Sequence, residues 1–205
     1  TATSTPIQHA AIAGFENSIE MDEYFEVTRE LHKIMGEYTY NRLTAIEGVT
    51  ATKPEATFYL LANFNHFADD FATNNIRTSQ EFSIALLEHP YHTALVGGDS
   101  LVLERTDFSA RIAYVDYDGK TAMENWLKQK PSSTSERLEF VTQNAPRIVN
   151  GLNMIERFLN DLKTNSIQKV SNKEKEITGT FNSILNSNLP ERSGLKKLSQ
   201  ISKNM

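Results

Sequence analysis

One arginine lies within an apolar stretch near the middle of the chain, and it is the residue best suited to chemistry. Residues 110–114 read ARIAY, so Arg111 has only alanine, isoleucine and tyrosine beside it. An ionised guanidinium in apolar surroundings is costly unless a carboxylate or a phosphate pairs with it. Its planar set of N–H donors can bind a carboxylate through two parallel hydrogen bonds. The residues beside it therefore make Arg111 a candidate to bind an anionic group such as a carboxylate.

A second interpretation of Arg111 stays open at this point. The side chain could alternate outward from an edge strand and pair with Asp107, Asp116 or Asp118, which are near it in the sequence. Because most arginines lie at the protein surface, the local pattern alone favours this alternative. The two interpretations differ in whether the guanidinium is left free to bind a ligand.

Other residue patterns that could carry chemistry are less specific. The five histidines include His89 and His92, which flank a proline and a tyrosine. A zinc site needs three or four ligands of compatible geometry, and Pro90 would break any helix that placed these two on one face. We therefore predict no metal site. Gly97 and Gly98 have neither the spacing nor the lysine of a phosphate-binding loop.

Aromatic residues recur after the predicted second strand and allow two interpretations. Phe64, Phe67 and Phe71, together with Tyr59, could line the entrance of a substrate site. Aromatic side chains at this spacing more often pack in a core. We therefore favour packing.

Composition excludes several classes of partner. The chain has 205 residues, with 26 acidic against 21 basic residues and a net charge of -5, which argues against a nucleic-acid-binding surface. No apolar run approaches the roughly 18 residues of a membrane span, and the N-terminus lacks the plan of a signal peptide. The chain contains no cysteine, which fits a cytoplasmic protein. We expect no nucleic acid and no membrane among its partners.

Helices and short strands alternate along the chain around Arg111. Apolar spacing within residues 7–46 predicts a short helix and a long one beginning near Met21, with Gly48 as the C-cap. Further helices are predicted after an N-cap at Ser79 and over residues 119–127 and 135–162, the last divided or kinked at Pro146. The polar stretch 63–78 is predicted to be a loop.

Short runs of β-branched and aromatic residues predict the strands. They lie at residues 49–52, 57–61, 94–96 and 111–115, and the last of them reads as covered on both faces. These elements predict an α/β domain over residues 1–162, with a small, mostly antiparallel sheet of three or four strands flanked by helices. Residues 163–205 are rich in Asn, Ser, Lys and Glu and predict a flexible tail.

Taken in order, these segments resemble the C-terminal small domain of a class I/II (fold type I) pyridoxal-phosphate aminotransferase. The resemblance extends over residues 4–162 and rests on several short matches that occur in the same order as in the family. Ala56 stands where the family usually has glycine, and Gly97 stands where it usually has proline. The matching segments are residues 7–11, 48–49, 53–60, 79–87, 96–98, 110–114 and 145–148.

The resemblance implies transamination between an amino acid and a 2-oxo acid, with pyridoxal phosphate as cofactor and Arg111 holding the substrate carboxylate. The family's Schiff-base lysine and phosphate-binding residues lie upstream of the matching region, and Lys33, Lys53 and Lys120 read as surface residues. We assign no catalytic or cofactor-binding residue to this chain, and a first residue other than Met fits a fragment.

Two functions follow as expectations. In the first, the chain is inactive alone and acts with a missing large domain or a homo-oligomer partner. In the alternative, it is a non-catalytic binding or structural module that keeps the fold.

Overall fold

The computed structural model describes residues 3–16 and 18–188. The chain divides into two compact units, Thr1–Asn160 and Asp161–Met205. The first unit holds the sheet that carries Arg111. The assignment of residues 1–162 to an aminotransferase-like domain and of residues 163–205 to a flexible tail stays a prediction.

Two helices begin the first unit, as predicted. Helix α1 spans Thr5–Gly14 and helix α2 spans Ile19–Thr44. The hydroxyl of Ser18 caps α2 by accepting a hydrogen bond from the backbone N–H of Met21 at 3.2 Å. Helix α2 buries one apolar stripe at helical spacing, which consists of Val27, Leu31, Ile34, Met35, Tyr38 and Leu43.

Gly48 does not cap this helix, so that prediction is wrong. The C-cap of α2 is Ala45, and Gly48 lies in the turn that follows, with a φ of +88°. A side chain at residue 48 would collide with the ring of His66. Glycine is therefore required at residue 48, but for the tight turn before the first strand and not for the end of the helix.

Four short strands form one antiparallel sheet, which confirms the predicted fold class. Strand β1 spans Thr50–Ala51, β2 spans Tyr59–Asn63, β3 spans Val96–Gly97 and β4 spans Ser109–Ala113. Their order in the sheet is β1-β2-β4-β3, and each neighbouring pair is antiparallel. Strand β4 is therefore an inner strand with a partner on both sides.

The two faces of this sheet differ in burial. Directly opposed residues share a face, and the register places Leu61 and Val96 opposite Arg111. We call this side the open face, because most of its residues are half-buried or exposed. They include Tyr59, Leu61, Val96, Arg111 and Ala113, whereas Ser109 at the start of β4 is buried. The covered face is buried and carries Leu60, Ala62, Gly97, Ala110 and Ile112. The prediction that the arginine strand is covered on both faces is wrong.

Helices also occupy part of the stretch predicted as a loop. A 3-10 turn at Asn65–Phe67 runs into helix α3, Ala68–Thr73, and helix α4 spans Ser79–Leu87. The N-cap of α4 is Thr78, one position before the predicted Ser79, and Thr78 and Glu81 form a reciprocal capping box. The loop prediction is therefore wrong for this part of the stretch. Phe64, Phe67 and Phe71 follow a helical spacing, which the polar residues between them obscured.

The three phenylalanines of this region pack in the core, which confirms that prediction over a substrate entrance. Phe64, Phe67 and Phe71 are each at most 1% exposed. The ring centroid of Phe71 lies 4.4 Å from that of Phe108 and 5.0 Å from that of Phe82. These contacts anchor α3 and α4 to the chain that leads into β4.

Three helices follow the sheet. Helix α5 spans Gly119–Gln129, α6 spans Thr134–Asn144 and α7 spans Pro146–Asn188. The predicted division at Pro146 is confirmed, because proline is favoured in the first turn of a helix and not in its interior. Residues 163–188 are helical, and residues 189–205 lie outside the described residues.

Across residues 3–16 and 18–188, no helix combines the length and the apolar character needed to cross a membrane.

Candidate functional site

Arg111 lies at the centre of the sheet and points to the open face. Strand β4 is hydrogen-bonded to β2 on one side and to β3 on the other. The alternative interpretation required Arg111 to lie on an edge strand, and it does not. Its side chain is half-buried. The backbone of this inner strand fixes where the guanidinium can reach.

Two of the aspartates that the alternative named bind other groups. The Asp107 carboxylate accepts hydrogen bonds from the Ser109 hydroxyl at 2.7 Å and from the Asn65 amide at 3.2 Å. The Asp116 carboxylate accepts one from Nε of Arg147 at 2.6 Å. The Asp107 carboxylate is therefore bound within the turn before β4, and the Asp116 carboxylate is bound to the start of α7.

The third aspartate, Asp118, is the N-cap of α5. Its carboxylate accepts a hydrogen bond from the backbone N–H of Thr121 at 2.7 Å, and this bond lowers the pKa of Asp118 below its usual value. Arg111 forms no ion pair with any residue in the described part of the chain. The pairing alternative for Arg111 is therefore wrong within those residues.

The partner that the structure does give Arg111 is an aromatic ring. The guanidinium carbon of Arg111 lies 4.6 Å from the centroid of the Tyr59 ring. Tyr59 is two residues along β2 from the residue that faces Arg111, so the two side chains meet diagonally on the open face. Sequence reasoning grouped Tyr59 with the phenylalanines and missed this contact. The alternation of buried and half-buried residues along β2 could have shown that Tyr59 does not face the core. Its position beside Arg111 depends on the register between β2 and β4.

Apolar side chains complete the surroundings of the guanidinium. Leu61 and Val96 stand directly opposite Arg111 on its two neighbouring strands, and both are half-buried. Such neighbours limit the water around the guanidinium, which strengthens its attraction for an anion. The arrangement suits one carboxylate bound by two N–H donors.

A close backbone contact supports the strand next to Arg111. A Cβ atom placed on Gly97 would lie 2.6 Å from the backbone oxygen of Ser79 and 2.8 Å from the hydroxyl oxygen of Ser83. Glycine at this position therefore lets the start of α4 pack directly on β3. This is the position where the resemblance expects proline, and the contact explains why this chain has glycine.

We expect Gly97→Ala to lower the free energy of unfolding by about 1–3 kcal/mol, because backbone atoms of α4 would have to move. Denaturant unfolding of the variant measures this. Gly119→Ala is the matched control, since a Cβ atom there would meet nothing within 4 Å. Equal midpoints for Gly97→Ala and the unchanged chain would contradict the close contact.

A cleft of about 530 Å³ lies between α2 and the turn before β2. Arg29, Lys33 and Glu55 are among its charged residues, and Arg111 does not line it. His32 also lines it. Burial lowers the pKa of His32, whose Nδ1 has no hydrogen-bond partner in the part of the chain that the structure describes. Its mixture of both charges does not mark it as a carboxylate site. Arg111 on the open face remains the candidate.

The lysines that the sequence assigned to the surface lie there. Lys33, Lys53 and Lys120 are all exposed, on α2, in the turn after β1 and at the start of α5. A lysine that binds pyridoxal phosphate covalently has to reach the cofactor inside a water-excluding site. These three lysines therefore do not fit the attachment of that cofactor.

Histidine pairs in the described residues do not form a metal centre. The ring centroids of His89 and His92 lie 5.6 Å apart, edge to face. Across residues 3–16 and 18–188, no group of three or more His, Cys, Asp or Glu residues is placed to hold a metal ion.

Comparison with known proteins identifies the family. A family model described as aminotransferase class I and II matches residues 1–118, a range that runs from α1 through β4 and includes Arg111. A search of curated proteins found no match. The resemblance of residues 145–148 to the closing helix lies outside the matched range and stays a prediction. Since the match extends over more than half of its residues, the chain belongs to the class I and II aminotransferase family.

Proposed function

We propose that this chain provides the substrate-carboxylate-binding residue of a pyridoxal-phosphate-dependent aminotransferase, which transfers an amino group between an amino acid and a 2-oxo acid. The observation that supports this best is the state of Arg111. It is half-buried on the open face, inside the range that matches the family, and its charge is not neutralised by any described residue.

One arginine can serve both substrates of such a reaction. An amino acid and a 2-oxo acid carry the same α-carboxylate and differ at the carbon next to it. Two N–H donors from the Arg111 guanidinium fix that carboxylate in position and in plane. The neighbouring carbon is thereby held in one orientation, which lowers the entropic part of the barrier.

The cofactor belongs to another part of the enzyme in this proposal. Members of the class I and II aminotransferase family generally use pyridoxal phosphate, which supplies the electron sink for amino-group transfer when it is bound. The exposed positions of Lys33, Lys53 and Lys120 do not fit its attachment. We therefore place the cofactor in a large domain and expect the chain to be inactive without it.

An apolar surface at the start of the chain favours such a partner. Helix α1 has no buried residue, and Phe15 after it is 88% exposed. Ile7, Ile12 and Ile19 are also mostly exposed. Several large apolar side chains exposed along one short segment are typical of a contact surface. We propose that the large domain covers it, because this segment lies within the range that matches the family.

An absorbance titration tests the proposed function. The chain, combined with the large domain, is titrated with pyridoxal phosphate, and the visible band of the bound cofactor is recorded. We expect the band to form and then to shift on addition of an amino acid. A combined protein that takes up no cofactor, or whose band ignores amino acids, would contradict the proposal. The chain alone serves as the control and should show no band.

A further inference from the structure

We infer that Tyr59 is a positioning residue for Arg111: its ring holds the guanidinium so that the N–H donors point away from the sheet, toward the substrate carboxylate. This inference rests on the proposed function, because it concerns how Arg111 is held for that role. It is carried by the 4.6 Å contact between the guanidinium carbon and the Tyr59 ring.

The register of the sheet makes this contact a fixed one. Arg111 is bonded through β4 to strands on both sides, and Tyr59 belongs to β2, which pairs with β4 along its whole length. Both side chains leave the backbone on the open face. Neither strand can slide without breaking the antiparallel ladder, so the ring and the guanidinium stay together.

An aromatic ring suits this task better than a carboxylate would. A carboxylate partner would neutralise Arg111 and compete with the substrate for the same N–H groups. The negative face of an aromatic ring attracts the cation but leaves its in-plane donors free. Tyr59 therefore orients the charge without consuming it, in agreement with the lack of an ion pair for Arg111 among the described residues.

A second ring supports Tyr59 from the turn just before β2. The ring centroid of Phe58 lies 4.2 Å from that of Tyr59, and His32 on α2 lies 6.2 Å from Phe58. The row of rings runs from α2 to Arg111 and limits the rotation of Tyr59. No hydrogen bond of the Tyr59 hydroxyl occurs within residues 3–16 and 18–188, so the ring itself is the part that acts.

The test compares substitutions at residue 59 in the enzyme formed by this chain and its large domain. We expect Tyr59→Leu to raise KM for the amino acid and for the 2-oxo acid about tenfold, the scale of a partly desolvated cation–π contact, with a smaller change in kcat. The dissociation constant of an unreactive monocarboxylate, acetate, should rise by a similar factor. Tyr59→Phe keeps the ring and should restore both values to within about twofold of the unchanged enzyme.

Two controls separate positioning from packing. A ring-fluorinated phenylalanine at residue 59 keeps the shape of the ring but removes its negative face, so it should weaken acetate binding about as much as Tyr59→Leu is expected to. This control remains informative if the Tyr59→Leu variant folds poorly. Tyr40→Leu replaces another half-buried tyrosine, on α2, and should leave acetate binding unchanged. Retained acetate affinity with the fluorinated ring would overturn the inference.

A double-mutant cycle shows whether Tyr59 acts through Arg111. In an Arg111→Lys background, Tyr59→Leu should change acetate affinity by less than about twofold, because the oriented guanidinium is already lost. An undiminished effect in that background would overturn the inference. If Arg111→Lys itself left carboxylate affinity unchanged, the proposed function would fall as well. A loss with Arg111→Lys but none with Tyr59→Leu would overturn the role of Tyr59 alone.

Discussion

Arg111→Ala is expected to lower kcat/KM for the amino acid and for the 2-oxo acid by roughly 100- to 1000-fold in the assembled enzyme, or about 3–4 kcal/mol of transition-state binding. The loss is large because the guanidinium lies among apolar neighbours, Leu61 and Val96, and two charge-assisted hydrogen bonds disappear together. Steady-state kinetics with both substrates measures it.

Matched variants make this result specific. Arg111→Lys keeps the charge but loses the planar pair of donors, so its kcat/KM should fall between that of the unchanged enzyme and that of Arg111→Ala. Arg147→Ala removes another arginine that is exposed and paired with Asp116. Since exposed ion pairs contribute little, its kcat/KM should stay within about twofold.

One outcome would favour the non-catalytic alternative. If Arg111→Ala bound acetate as well as the unchanged chain did, the open face would have no carboxylate-binding role. Combined with an absent cofactor band, this result would point to a binding or structural module that keeps the aminotransferase fold. Loss of carboxylate binding with an intact band supports the enzymatic role instead.

Arg111 was singled out from the sequence by its apolar neighbours, but the local pattern alone favoured a surface ion pair, and the resemblance to the family decided between the two. Burial of a guanidinium among apolar residues has a high free-energy cost, and that cost is visible in residues 110–114 without a structure. The choice between a free and a paired arginine was not visible. It depends on contacts such as Asp107 with Asn65, which are 42 positions apart in sequence.

The strands and the helices were predictable to different degrees. Periodicity predicted α1 and α2, and the proline itself predicted the division at Pro146, because each signal depends on residues close together in the sequence. Strand β4 was placed two positions too late, since the small and apolar residues around Arg111 show little alternation that would mark the ends of the strand. A shift of two positions leaves Arg111 on the same face of the sheet. The prediction of two covered faces was nevertheless wrong, because only the face opposite Arg111 is covered.

Tyr59 shows why the remainder of the site needed the structure. Its role depends on the register between β2 and β4, which is set by strand pairing across about 50 residues of chain. The sequence alone grouped Tyr59 with Phe64, Phe67 and Phe71, and all three of these phenylalanines are buried in the core. Neighbouring aromatic residues in one segment thus serve two different purposes, packing and the support of a charge.

Phe71→Ala is expected to lower the free energy of unfolding of the chain by about 3–5 kcal/mol. Phe71 is fully buried, and its ring lies within 4.4–6.5 Å, by centroid, of four other rings, so a cavity would open at the centre of the aromatic core. Those rings belong to Phe67, Phe82, Phe108 and Phe158. Denaturant unfolding monitored by circular dichroism measures the loss.

Phe15→Ala is the matched control, because the same residue type is 88% exposed there and its replacement in the chain alone should change stability by less than about 0.5 kcal/mol. The assembled enzyme adds a second measurement, since folded Phe71→Ala should keep its KM for the amino acid. A raised KM at unchanged stability would mean that Phe71 lines a substrate entrance after all. Because Phe71 packs against Phe82 on α4 and against Phe108 next to β4, we expect the stability of this aromatic core, and not substrate access, to depend on it.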